Sequence, residues 1–456
     1  MTNVALVVLD TLRKDAFDDF FEWLPGIRFE NAWTPSAWTT PVHASLFGGG
    51  YPSELGVYAK TESLDCDRLV LAEALSEAGY TTRAFSANAN IGEAFNFDRG
   101  FDSFWHSWRG RKHDEDILDW GNFIATTQDL GPSRFLRAIY ACVTGDVDTV
   151  ASLSYGLKMK ARDMGIETIS GGDDGAQLAL ETVRETEFAD NEFFFLNLME
   201  AHGPYDPPSD YQTVDYSASP NIDDTIGDGP DEPTATIRLA YDDCVRYLSD
   251  VYRDIFAELR ADFDYVITLG DHGELFGEDG VWGHNHGIYP ELVHVPLSVY
   301  TGDDSVEHRD ESVSLIDVHR TVLDLTGANA PSRGENLLKG TTPRDLFVER
   351  YGLRQNRIKQ MPKNGHNNQT IKRYDRHLFG VRVPDGRYGY ETLDGFQTKP
   401  RITDAGVDGR ADRDDTGDLR ERLDRVRDSL DTVPVSLGDE GVPEDVRNRL
   451  EELGYA

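Results

Sequence analysis

Tyr265-Val-Ile-Thr-Leu-Gly-Asp-His-Gly273 sets an apolar, β-branched run directly against a turn that carries an acid and an imidazole. The run has the length and composition of a buried strand, and the glycines on either side of Asp271-His272 end it sharply. The same order recurs elsewhere. Val4-Ala-Leu-Val-Val-Leu-Asp10 is an apolar strand ending on a carboxylate, and Phe193-Phe-Phe-Leu-Asn-Leu-Met199 runs into Glu200-Ala-His202. Helical patterns fall between these runs at 69–78, 176–187 and 239–259, and another follows Leu297–Tyr300 at 316–325. Strands alternating with helices predict an α/β fold: a mixed, mostly parallel sheet flanked by helices over roughly residues 1–333. Ligands of such sheets bind at the carboxyl ends of the strands, where these three runs place Asp10, His202 and Asp271-His272 together.

Two stretches break the alternation. Residues 108–172 are helical and aromatic and read as an insertion or cap, and 216–235 read as an exposed loop. From 334 to 456 the pattern changes to a small C-terminal α+β subdomain. Its antiparallel strands lie at 346–351 and 377–391, the latter turning at Pro384-Asp-Gly386. An acidic linker follows at 401–418, then helices at 419–431 and 443–453.

The 456 residues hold 82 Asp and Glu against 45 Lys and Arg, a formal net charge of -37. A disordered acidic chain would lack apolar strands, so the acid reads as a surface adapted to a salt-rich, halophilic cytoplasm, where screening offsets self-repulsion. The same charge repels nucleic acid. Cys66, Cys142 and Cys244 are too dispersed for a zinc site and read as reduced thiols. No stretch reaches the roughly 20 apolar residues that span a bilayer, and the first residues lack the features of a signal peptide, so a cytoplasmic location is expected. The sequence does not fix the oligomeric state.

Two carboxylates and an imidazole at one sheet edge suit a single divalent cation, Ca²⁺, Mg²⁺, Mn²⁺ or Zn²⁺. An aspartate after a strand is more often a helix cap. Three such residues at one edge are harder to explain that way. A second group is Thr34-Pro-Ser-Ala-Trp-Thr-Thr-Pro-Val-His43, in which Pro41 marks the first helical position with Thr39 or Thr40 before it. A hydroxyl there is either an N-cap or, beside an anion held by the helix N-terminus, a nucleophile. A third is the loop containing His284 and His286; His294 precedes a strand and reads as structural.

Together these segments resemble the sulfatase family within the alkaline phosphatase superfamily, from Asp10 to about Gly327, with an echo at Arg449–Ala456. Thr39-Thr-Pro-Val-His-Ala-Ser-Leu-Phe-Gly-Gly49 is similar to the signature Cys-x-Pro-x-Arg-x-x-x-x-x-Gly, and the Asp10, Gly79–Thr82, Asp98–Asp102, His202, Gly270–Glu274 and Ile316–Val318 segments follow in family order. The resemblance implies an alkaline phosphatase-like fold and a metal-dependent hydrolase of sulfate or phosphate esters acting on a small molecule or glycan. It implies Asp10, Asp271 and His272 as metal ligands with Thr39 completing the shell, and Thr39, His202 and His284 as catalytic. His43, Asn88 and His286 are expected to contact substrate, although packing serves His43 equally well.

The departures bear on chemistry. Sulfatases convert the signature Cys or Ser to formylglycine; Thr39 cannot become that aldehyde, so no formylglycine is expected. A Thr-bound intermediate would be released by water instead, as in relatives acting on phosphoesters. His43 stands where the family has Arg, and Thr11 where it has a second Asp. The alternatives are a phosphodiesterase, a phosphonate ester hydrolase or a phospho-group transferase of the same superfamily. A non-catalytic, metal-stabilised binding protein is the alternative from another class.

Overall fold

The computed structural model describes residues 2–107, 134–144, 173–399 and 415–434, with isolated positions between 118 and 153. Nine strands form the main sheet: β1 (Val4–Leu9), β2 (Gly26–Trp33), β3 (Thr81–Ser86), β4 (Ser103–His106), β5 (Glu192–Leu198), β6 (Tyr265–Leu269), β7 (His294–Val295), β8 (Leu297–Tyr300) and β9 (Val306–Ser314). Their order is β4-β3-β5-β1-β6-β8-β2-β7, with β9 also paired to β2. From β4 to β6 every pairing is parallel. β8 runs antiparallel to β6 and β2.

β1 and β5 are buried along their whole length. This is what central parallel strands covered on both faces require, and it explains their unbroken apolar composition. The helix Thr234–Asp262 covers one face through Ile237, Tyr241, Val245, Leu248, Tyr252, Ile255 and Leu259, spaced three and four apart. It starts five residues before the expected helix. The expected loop at 216–235 holds one short helix, Ile222–Ile226.

The C-terminal sheet is an antiparallel meander of β10 (Leu346–Tyr351), β11 (His377–Arg382), β12 (Tyr388–Thr392) and β13 (Gly395–Lys399). The helix Asp415–Asp428 packs on it through Leu419 and Leu423 against Phe347, Val381 and Val383. β10 is tied to the segment before Thr39: Glu349 N–H donates to the Pro35 carbonyl at 2.9 Å, and the Ser36 hydroxyl to the Glu349 carbonyl at 2.8 Å.

β2, β4, β7, β9 and β13 were not expected from the sequence. β9 is half acidic or basic and largely exposed, so it shows no apolar run. The insertion expected at 108–172 lies mostly outside the described residues, apart from the helix Arg134–Thr144. The acidic linker largely lies there too, and the final helix at 443–453 wholly so. Among the described residues no helix is long and apolar enough to cross a membrane.

Candidate active site

Four neighbouring parallel strands, β3, β5, β1 and β6, release their chains at one edge of the sheet. β1 delivers Asp10 and Thr11, β3 leads to Asn88, β5 to His202, and β6 to Asp271 and His272. Asp10, Asp271 and His272 are fully buried, and one potential ligand atom from each lies within 4.8 Å of the others.

The backbone at Thr11 helps set this up. Thr11 has φ 63, a left-handed conformation that costs a β-branched residue energy. In return its N–H reaches Asp271 Oδ1 at 3.1 Å and its hydroxyl donates to Asp10 Oδ1 at 2.7 Å. Tyr241 holds the turn from behind, donating to the Thr11 carbonyl at 3.0 Å and accepting from Arg13 N–H at 2.9 Å. Thr11 therefore orients both carboxylates where the family's second acid would have been a ligand.

Asp10 Oδ2 accepts from Asn88 Nδ2 at 2.8 Å and lies 3.4 Å from the Thr39 hydroxyl. His272 Nδ1 donates to the Gly273 carbonyl at 2.9 Å, which leaves Nε2 with its lone pair directed into the cluster. That nitrogen is 3.2 Å from Thr39 Oγ1, 3.7 Å from Asp271 Oδ2 and 3.8 Å from Asp10 Oδ1. Burial opposes ionisation of Asp10, but the charges of His202 and His272 and the Thr11 hydroxyl outweigh it, so its pKa is lowered. Asp271 goes the other way, pushed up to about 7 by burial and by the Asp10 charge.

A divalent cation fits these residues. Asp271 Oδ2 is buried without a hydrogen-bond partner, an expensive position for a carboxylate oxygen unless a cation takes it. The donor set of two carboxylates and an imidazole nitrogen suits such an ion.

Thr39 opens the helix Thr39–Gly48, all ten residues of which are buried. Trp38 is the extended N-cap residue, so Pro41 sits third in the helix rather than first. Proline costs nothing there, because the first-turn N–H groups have no partner inside the helix. The helix closes at Gly49, with φ 65, where a Cβ would come within 2.5 Å of His319 Nδ1.

His202 and His284 complete the edge, with ring centroids 5.1 Å apart, and His284 lies 4.7 Å from His272. His202 Nδ1 donates to the Gly203 carbonyl at 2.5 Å. Burial pushes His202 down to about 4 despite the Asp10 charge, so its imidazole is neutral near pH 7. His284 Nδ1 contacts both oxygens of Glu274 at 3.1 and 3.2 Å, and Glu274 also accepts from the Tyr205 hydroxyl at 3.1 Å. Glu274 is fully buried; burial alone would raise its pKa, but the His284 charge and hydrogen bond lower it. It stands in the Gly270–Glu274 segment, two residues after His272, and sequence reasoning gave it no role.

Three expected substrate contacts are placed differently. His43 is fully buried between Phe47 and Phe195, with Nδ1 on the Thr39 carbonyl at 3.0 Å and Nε2 on Asn197 Nδ2 at 3.1 Å. Both ring nitrogens are thus committed inside the protein, and burial pushes its pKa down to about 4. Asn88 turns its amide to Asp10 and accepts from Asn90 N–H at 2.8 Å. His286 is 3% exposed and packs edge-on against Tyr374 of the C-terminal region, turned two residues further round its loop than His284.

The family model described as Sulfatase matches residues 4–328. An Escherichia coli (strain K12) relative described as uncharacterized sulfatase YidJ is 21% identical over 358 residues, 71% of this chain and 66% of its own length. The chain thus matches just under two thirds of that relative. Among solved structures, the phosphonate monoester hydrolase of Agrobacterium radiobacter superposes with a TM-score of 0.60 at 17% identity, covering 94% of this chain and 96% of its own. The phosphonate monoester hydrolase from Silicibacter pomeroyi gives 0.61 at 16%, covering 97% and 99%. A protein solved with its substrate D-glucosamine-2-N,6-O-disulfate gives 0.57 at 14%, covering 94% and 97%. The match over residues 4–328 places this chain in the sulfatase family.

Proposed function

We propose that this protein hydrolyses a sulfate or phosphate ester by double displacement through Thr39. The observation that carries the reading is the Thr39 hydroxyl at a helix N-terminus, 3.4 Å from Asp10 and 3.2 Å from His272. A divalent cation held by Asp10, Asp271 and His272 would supply charge neutralisation and lower the pKa of a neighbouring hydroxyl.

The residues divide the work. Asp10, whose carboxylate has lone pairs beyond the one a cation would use, takes the Thr39 proton. The N–H groups of the first turn of the helix Thr39–Gly48 bind the anionic ester. Thr39 Oγ1 attacks the sulfur or phosphorus in line, and the alkoxide departs on the opposite side. His284, oriented by Glu274, protonates that leaving oxygen, and the neutral His202 beside it presents Nε2 as an acceptor. Water then cleaves the Thr39 ester, with an imidazole taking its proton.

Because threonine cannot pass through an aldehyde, release by water favours phosphoryl or phosphonyl esters at least as much as sulfate. The two superposing phosphonate monoester hydrolases support that side, and the neighbour solved with a disulfated glucosamine supports a glycan sulfate. Free Cys66, Cys142 and Cys244 support a reducing cytoplasm, and the acid excess supports a salt-rich one without nucleic-acid partners.

The test is nitrophenol release from sulfate, phosphate monoester, phosphate diester and phosphonate ester analogues, in molar KCl with Ca²⁺, Mg²⁺, Mn²⁺ or Zn²⁺. Metal-dependent turnover lost by at least about 10³-fold in Thr39→Ala is expected. Full activity in that variant would remove Thr39 as nucleophile.

A further inference from the structure

β10 is an edge strand of the C-terminal sheet, and its open edge lies along the segment that leads to Thr39. Leu346, Val348 and Arg350 share one face of this strand. The two apolar side chains pack with Ala37, Tyr289 and Leu292. Arg350, one residue from the strand's end, continues that face with a guanidinium. Its Nη1 donates to the Ala37 carbonyl at 3.5 Å and to the His284 carbonyl at 3.2 Å, and its Nη2 donates to the Asn285 carbonyl. Ala37 lies two residues before Thr39. A single terminal nitrogen therefore joins the backbone leading to the proposed nucleophile with the backbone carrying the proposed acid.

This is a costly place for a cation. Arg350 is 4% exposed, and among the described residues no carboxylate lies within ion-pairing distance of it. Its Nε is buried without a hydrogen-bond partner. Burial, and behind it the Arg354 charge, pushes its pKa down to about 9. A leucine or methionine would complete the apolar layer of β10 without burying a charge. What a guanidinium offers instead is a rigid, planar fork of donors, able to serve carbonyls of two chain segments at once.

We propose that Arg350 is a positioning residue of the reaction, holding the Thr39 segment and the His284 loop at a fixed separation without touching substrate. Glu274 orients the His284 ring, and Arg350 anchors the backbone from which that ring projects. The C-terminal sheet thereby sets the geometry between nucleophile and acid. The catalytic part of this rests on the roles given to Thr39 and His284, whereas the bridge between the two segments does not.

The first measurement needs no turnover. It is hydrogen exchange followed by mass spectrometry in the wild type, Arg350→Gln and Arg350→Lys. Peptides covering 35–41 and 282–287 should both exchange about tenfold or more faster in Arg350→Gln, with β1 and β5 unchanged. Arg350→Lys keeps the charge but not the fork, should loosen the same two peptides, and decides the matter if the Gln variant unfolds. Loosening of one peptide alone, of neither, or of β1 and β5 to the same extent overturns the bridge.

The second is leaving-group dependence, read on the phenyl and 4-nitrophenyl esters of the group that is turned over. Nitrophenolate departs without a proton and phenolate needs one. Arg350→Gln should therefore lower kcat about 10²-fold for the phenyl ester and less than about fivefold for the nitrophenyl ester, with KM within about twofold. In the His284→Asn background the same substitution should cost the phenyl ester less than about threefold. Equal losses on both esters, or full additivity with His284→Asn, overturn the role through His284. Full activity in Thr39→Ala would remove the nucleophile and leave the exchange and the coupling to judge Arg350, so the two readings fail separately.

Discussion

His284 and Glu274 form an imidazole–carboxylate pair in which Nδ1 meets both carboxylate oxygens, at 3.1 and 3.2 Å. An ionised carboxylate only accepts, so Nδ1 carries the proton and Nε2 is left for the reacting edge. Tyr205 fixes the carboxylate from its other side. Glu274→Gln keeps the volume and one acceptor but removes the charge that stabilises a protonated ring. It should lower kcat about 10²-fold with KM within about twofold. Unchanged kcat would leave Glu274 a packing residue.

Asp10 and Asp271 confront each other in the buried interior with Asp271 Oδ2 lacking a hydrogen-bond partner, which sets up a stability test. Adding a bound divalent cation to metal-free protein should raise the melting temperature by several degrees, by linkage. Asp271→Asn should melt no lower than the wild type without metal, since it removes like-charge repulsion, and should show no gain on adding Ca²⁺, Mg²⁺, Mn²⁺ or Zn²⁺. A full metal-induced gain in that variant would place the ion elsewhere.

His319 is fully buried away from the site, and burial, aided by the Arg320 and Arg68 charges, pushes it down from 6.5 to about 3. Between those values the unfolded chain binds a proton that the native state refuses, so stability falls as pH falls below 6.5. At pH 5 the loss from this residue is of order 2 kcal/mol. Urea midpoints measured at pH 7 and pH 5 should converge in His319→Gln. Identical losses in both proteins would assign the acid sensitivity to other groups.

The net charge of -37 makes the fold self-repelling at low ionic strength. Raising KCl from about 0.1 M to about 2 M shortens the screening length from about 10 Å to below 3 Å. The melting temperature should climb by about 5 °C or more. A flat or falling curve would count against adaptation to a salt-rich cell.

The central strands were legible because they are buried on both faces: β1, β6 and β8 run over the residues that composition alone indicated, and β5 nearly so. Where they end is legible too, and with it Asp10, His202, Asp271 and His272. β9 was not, because an exposed strand of Glu, His, Arg and Asp carries no periodic apolar signal and is defined only by its partner β2. The fates of His284 and His286 could not be separated either, since two residues along a loop decide which imidazole meets Glu274 and which meets Tyr374. Arg350 reaches the His284 carbonyl across 66 residues of sequence and that of Ala37 across 313, contacts no local pattern encodes.

The docking of β10 onto the segment before Thr39 has a consequence for the timing of assembly. During synthesis, every proposed ligand and the nucleophile leave the ribosome well before Glu349 and Arg350 do. The sheet edge can thus be collected while the backbone around Ala37 and His284 still lacks its outer support. That support arrives late in translation, delivered by the last quarter of the chain.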